Sequence, residues 1–137
     1  MADIRIADRT IVALQKGLDL RAQKQQVIAG NIANAETPGY SARKLNFEDN
    51  LRKAISNPEM AGRKTNAKHF PIGSSGISSV HGTLTKQVNS SPLGDGNSVS
   101  VDDEMFDLAE NQILFEASSQ IIKKKFSMLK FAASDGR

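Results

Sequence analysis

Apolar residues recur in steps of three and four at both ends of this 137-residue chain. From the N-terminus the stepping runs through Ile4, Ala7, Ile11, Leu14, Leu18, Arg21, Gln25, Ile28, Ile32 and Ala35. Toward the C-terminus it runs through Met105, Leu108, Gln112, Phe115, Ser119, Ile122, Phe126, Leu129 and Ala133. A seven-residue repeat of this kind puts its members on one helical face. The spacing predicts a mainly α fold in which two long terminal helices, each ~45 Å at about 1.5 Å per residue, pair as an antiparallel coiled coil. The candidate packing residues are Ile11, Leu14, Leu18, Ile28 and Ile32 on the first helix and Met105, Leu108, Phe115, Ile122, Phe126 and Leu129 on the second. Matched lengths suggest a register that sets Ile32 against Met105, Leu18 against Ser119 and Ile11 against Phe126. It also opposes Gln25 to Gln112, two amides able to satisfy each other inside an apolar seam.

Punctuation residues bound these elements. The first helix is expected to stop near Asn34, because Pro38 disfavours helical geometry at Thr37, and Thr37-Pro38-Gly39-Tyr40 places proline and glycine where a type II turn uses them. Asp102 and Asp103 stand ahead of the second stripe as capping carboxylates. Glu104 and Asp107 fall in its first turns and Lys123, Lys124, Lys125 and Lys130 toward its end, which complements a helix dipole. Between the two, Asn46 to Ser56 reads as a short helix with Phe47, Leu51, Ala54 and Ile55 on one face, ended by Asn57-Pro58. Residues 62–100 hold six glycines and eight serines, with alternation only around Leu84 and Val88 and around Val99 and Val101. That segment reads as an irregular or β-hairpin loop region. The expected organisation is therefore 1–36 as an N-terminal helix, 37–101 as the intervening turn, short helix and Gly/Ser-rich loop, and 102–137 as a C-terminal helix.

Composition narrows the function. The chain is 39% hydrophobic and has no Cys and no Trp, against roughly 45–50% apolar in ordinary globular domains, so a large self-contained core is not expected. The lack of cysteine removes disulfides, thiolate metal sites and thiol nucleophiles. His69 and His81 have no nearby ligand cluster, and Gly73-Ser74-Ser75-Gly76 and Gly94-Asp95-Gly96-Asn97 read as turns. No catalytic, cofactor or metal site is expected. The net charge of +3 is small, and Lys123-Lys124-Lys125 reads as a solvated helical face, because phosphate binding draws on many basic groups together. No apolar run approaches the ~18 residues of a membrane span, and with the mixed charges of Asp3, Arg5 and Asp8 no cleaved signal peptide is expected.

Two helices that cover each other bury a single seam. Leu20, Val27, Phe106, Ile113, Met128 and Phe131 lie outside it, and Ala29, Gly30, Ala33 and Ala35 leave room for a closely approaching backbone. The chain reads as a subunit that completes its core from neighbouring copies, with stability coupled to assembly.

The segment Asn31-Ile32-Ala33-Asn34-Ala35-Glu36-Thr37-Pro38-Gly39-Tyr40 closely resembles the N-terminal signature of bacterial flagellar axial proteins of the rod, hook and hook-associated class. Ser41-Ala42-Arg43, Phe47-Glu48, Thr65 with Lys68-His69-Phe70, Asp95-Gly96-Asn97, Val99 to Met105 and Ala109-Glu110-Asn111-Gln112 resemble the proximal rod proteins of the flagellar basal body. The resemblance covers most of the chain and is weakest in residues 72–93. It implies a non-enzymatic structural subunit that carries no cofactor, uses no nucleic acid or lipid, and serves motility. It further implies export by the flagellar type III apparatus without a cleaved signal, and assembly into the periplasmic rod. The implied partners are copies of itself, other flagellar rod proteins, the rod-to-MS-ring adaptor protein FliE and the type III export gate. The implied assembly residues are Asn31, Ile32, Ala33, Asn34, Thr37, Pro38, Gly39 and Tyr40, with Asn31 and Asn34 satisfying carbonyls where the first helix ends and Tyr40 wedging into a neighbour. On the residues alone, a small basic helical nucleic-acid-binding protein and a type III secretion chaperone or cofactor remain open as other classes.

Overall fold

A computed structural model describes residues 2–56, 76–87 and 94–134, with residues 2–8 as backbone only. In chain order these form α1 (Ala2–Ala33), β1 (Arg43–Asn46), α2 (Glu48–Ser56), a 3-10 turn (Ile77–Ser79), β2 (Thr83–Lys86) and α3 (Val101–Ala133). Both long terminal helices are present, and α1 stops where Pro38 and Gly39 require it to. They run antiparallel. Asn31 near the end of α1 meets Glu104 near the start of α3, and Arg21, further back, meets Asn111, further on.

The register differs from the expected one. Gln25 and Gln112 are both exposed, and the Gln112 amide donates to Glu116 of its own helix at 3.2 Å. The polar lock is instead Asn111, whose Nδ2 donates to the Arg21 carbonyl at 3.0 Å while its Oδ1 accepts from the Arg21 guanidinium at 3.4 Å. That guanidinium lies over the Phe47 ring, 5.7 Å from its centroid, so Asn111 meets a partner already held in place. A glutamine pair would have to order two longer side chains for the same bonds. Of the expected packing residues, Ile28 is buried, and Ile11, Leu14, Leu18, Ile32, Leu108, Phe115 and Ile122 are half-buried. Met105, Phe126 and Leu129 are exposed in the single chain.

The cap of α3 is also one step from the expectation. Ser100 stands at the N-cap and its hydroxyl accepts from the Asp103 N–H at 3.4 Å. Asp102, Asp103 and Glu104 lie inside the first turn, where carboxylates still oppose the positive end of the dipole.

The described part of the middle of the chain holds two strands, a short helix and a 3-10 turn. β1 pairs antiparallel with β2, Arg43 opposite Lys86 and Leu45 opposite Leu84, so the strand at Leu84 finds its partner outside the segment 62–100 that reads as an irregular or β-hairpin loop. A four-residue strand with a single buried apolar residue, Leu45, leaves no alternation to read. α2 begins at Glu48 rather than Asn46, and Ile55 points to solvent. Leu20, Leu45, Phe47 and Val80 form the buried cluster, with Val27, Leu51 and Ala54 packed against it. Leu20 and Val27, expected to need other subunits, are thus covered by this chain's own middle segment. α1 therefore has two occupied sides: one faces α3 and the other carries the small β/α unit.

Two further contacts hold α2 to α1. Arg9 donates to the Ile55 carbonyl at 2.8 Å, placing a cation at the C-terminal end of α2. Lys24 pairs with Glu48 at 3.1 Å. Partial burial alone would raise the Glu48 carboxyl, but bonds from the Phe47 N–H, its own N–H and Lys24 outweigh it and hold that carboxyl below its usual range. Asn57-Pro58, Lys68-His69-Phe70, Gly73-Ser74-Ser75 and Val88 lie outside the described residues, and His81 is exposed. Among the described residues no helix is long and apolar enough to cross a membrane.

Candidate assembly junction at the end of the first helix

The last turn of α1 carries Asn31, which is fully buried at 0% exposure. Its Nδ2 donates to the Arg43 carbonyl at 2.7 Å and to Glu104 Oε1 at 2.9 Å. Its Oδ1 accepts from the Arg43 N–H at 3.0 Å and from the Tyr40 hydroxyl at 3.3 Å. One side-chain amide therefore engages both main-chain groups of Arg43 as a neighbouring strand would, and closes the edge of β1 that β2 does not cover. Glu104 is 3% exposed, a buried carboxylate whose charge is met by the Asn31 amide and by the first turn of its own helix. Lys44 of β1 reaches Asp107 at 3.2 Å. Three elements, α1, β1 and α3, converge on this one asparagine.

The turn that follows has the expected geometry. The Tyr40 N–H donates to the Thr37 carbonyl at 3.2 Å, and Gly39 sits at φ 72°. This is a type II turn with proline second and glycine third. A β-branched side chain in the left-handed region is strained, so Gly39→Val will lower unfolding stability in urea by about 1–2 kcal/mol. Gly39→Asn, a side chain that tolerates this region, will cost clearly less.

The carbonyls freed at the end of α1 are satisfied in two ways. Asn34 donates to the Gly30 carbonyl at 2.7 Å, as expected. Asn31 does not take this role, because its amide is turned to β1. Asn97 takes it instead, its Nδ2 donating to the carbonyls of Asn34, Ala35 and Thr37 at 2.9, 2.8 and 2.8 Å. The Gly39 N–H donates to the Asp95 carbonyl at 2.9 Å and the Ser98 N–H to the Tyr40 carbonyl at 3.0 Å. Ser98 Oγ accepts from the Ala42 N–H and donates to the Gln87 carbonyl, both at 2.8 Å. Gly94-Asp95-Gly96-Asn97, read from sequence as a turn, is therefore together with Ser98 a clip on the Pro-Gly turn. Nothing near Asn97 in sequence announces its partners, which lie up to 63 residues away.

The eight expected assembly residues fall into two sets here. Asn31, Ile32, Asn34 and Tyr40 are buried or half-buried, with Tyr40 turned to Asn31, while Ala33, Thr37, Pro38 and Gly39 are exposed. Lys123 and Lys124 face solvent and Lys125 is half-buried. Among the described residues no group of three or more acidic or histidine side chains is placed to hold a metal.

Comparison with known proteins falls on this same junction. The family model described as flagella basal body rod protein matches residues 12–40, ending on the last residue of the turn. The flagellar basal body rod protein FlgB of Salmonella typhimurium is 36% identical over 123 residues, 84% of this chain and 88% of that protein. FlgB of Bacillus subtilis is 34% identical over 128 residues, 93% of this chain and 95% of that protein. The chain belongs to the FlgB family. FlgB of Yersinia enterocolitica is similar too, at 33% identity over 79% of this chain and 81% of that protein. Members of the FlgB family are structural, non-enzymatic proteins of the flagellar basal body rod.

Proposed function

We propose that this chain is a proximal-rod subunit that self-assembles through its terminal helices. In this reading α1 and α3 form the inner-tube core as an antiparallel coiled coil, residues 37–101 project outward, and the motif Asn31–Tyr40 fixes the angle between the two parts. The subunit joins copies of itself and other rod proteins to the export gate and to the adaptor of the membrane ring. It reaches the periplasm through the flagellar type III apparatus.

The observation that carries the proposal is the outer side of α3. Phe106 is 72% and Phe131 62% exposed, and Ile113 and Met128 on the same face are also open to solvent. Exposed apolar area of that extent on one helix marks a surface that another protein covers. The test is Met128→Ser with Phe131→Ser in flagellated cells. Both sites are exposed, so the single chain keeps its stability within about 0.5 kcal/mol. The variant will still be exported but will form no rod, giving non-motile cells. Normal swimming by that variant would overturn the proposal.

A further inference from the structure

On the side of the β/α unit away from α3, α1 and the two strands enclose an open groove of about 350 Å³. Val27, Leu45 and Leu84 provide its apolar surface, Gly30 and Tyr40 line it, and Arg43 stands over it. Lys86 is the cross-strand neighbour of Arg43, so both side chains project from the same face of the sheet. Neither cation has a side-chain partner among the described residues, and Leu84 is half exposed. Two cations directly opposite each other repel, and no carboxylate among the described residues pairs with either.

Gly30 is the second observation. It lies inside α1, where glycine weakens a helix relative to alanine. A Cβ built there would meet nothing within 4 Å. Packing among the described residues therefore gives no steric reason for a glycine. An empty position at the edge of a groove suits a surface that enters from outside.

A complementary surface exists on the same molecule. On α3 the residues Asp102, Asp103, Phe106, Glu110 and Ile113 follow one another at helical spacing on the face turned away from Glu104 and Asn111, hence away from α1. All five are exposed, and the three carboxylates have no ion-pair partner among the described residues. An aromatic knob framed by anions thus faces outward, matching an apolar groove rimmed by cations.

We infer that the groove at Gly30, Leu84 and Arg43 receives the Phe106 ridge of a second copy of this chain. This deepens the rod-subunit reading and rests on it. Groove and ridge are different surfaces, so the contact is head-to-tail, the kind that propagates along a helix of subunits rather than closing a dimer. Phe106 fills the groove beside Gly30, and Asp103 and Glu110 meet Arg43 and Lys86.

The full-length chain in flagellated cells provides the test. Gly30→Leu places its Cβ in open space and its side chain into the groove against apolar Val27 and Leu84, so the purified variant will keep or raise its helical signal while rods per cell fall by about tenfold or more. The pair Arg43→Glu with Lys86→Glu will produce the same loss, because opposed like charges are strongly disfavoured across an interface. Adding Asp103→Lys with Glu110→Lys will restore assembly. The absence of native cysteine allows a direct reading: Leu84→Cys with Phe106→Cys will give disulfide-linked multimers of this chain in isolated basal bodies. Normal assembly of Gly30→Leu, failure of the charge swap to restore rods, or crosslinks only to a chain of another size would overturn the contact and leave the rod reading standing. Absence of the wild-type chain from basal bodies would overturn both.

Discussion

Asn31→Leu will destabilise the chain by about 3–5 kcal/mol, read as a shift of the urea unfolding midpoint, the range for breaking a buried polar network that includes a charge. Leucine has similar bulk, so the loss measures chemistry rather than a cavity. Four bonds disappear together: two to the main chain of Arg43, one to Glu104 and one from Tyr40. An unsatisfied buried backbone group costs about 1–3 kcal/mol. The Arg43 N–H and carbonyl would face leucine methyl groups, and the Glu104 carboxylate would lose the side chain that meets its charge. Asn34→Ala is the control, since it removes the bond to the Gly30 carbonyl, with a cost of about 1 kcal/mol. Equal losses for the two variants would show that the junction is not organised around Asn31.

Phe47→Ala will cost about 3–5 kcal/mol, as aromatic truncations in packed interiors do. Phe47 is 2% exposed and shares the buried cluster with Leu20, Leu45 and Val80. It also carries the Arg21 guanidinium on its ring, and Arg21 is what Asn111 grips from α3. Truncation therefore loosens the helix seam as well as the β/α unit. Phe106→Ala removes a ring of the same size from an exposed position and will change unfolding of the single chain by no more than about 0.5 kcal/mol. The pair separates the two placements of phenylalanine here: one ring holds the chain together, and the other lies exposed where the proposed contact with a second copy needs it.

Local chemistry was readable directly. The end of α1 at Ala33, the positive φ of Gly39 and the bond that closes Thr37 to Tyr40 follow from Pro38 and Gly39, because those two residues restrict their own backbone whatever surrounds them. The long helices followed from apolar spacing, which integrates over many turns and so survives a few polar interruptions. The motif Asn31 to Tyr40 pointed to the right family because it is a run of consecutive residues, although Asn31 exerts its effect across the fold on Glu104.

Partners distant in sequence were not readable. Apolar stepping selected Met105 for the seam, but Glu104 is the residue buried there, because Asn31 needs an acceptor at that point. It opposed Gln25 to Gln112, whereas Arg21, steadied by Phe47, recruits Asn111. β1 has one buried apolar residue, and only its pairing with β2 and with Asn31 makes it a strand. Asn97 carries no mark of the three carbonyls it binds. The sequence by itself determined where the helices lie and where the chain turns, because backbone restriction and periodic hydrophobicity are properties of consecutive residues. Tertiary structure alone decided the register, the short sheet and the buried polar contacts, because a hydrogen bond across the fold depends on which groups meet in space and leaves no periodic trace along the chain.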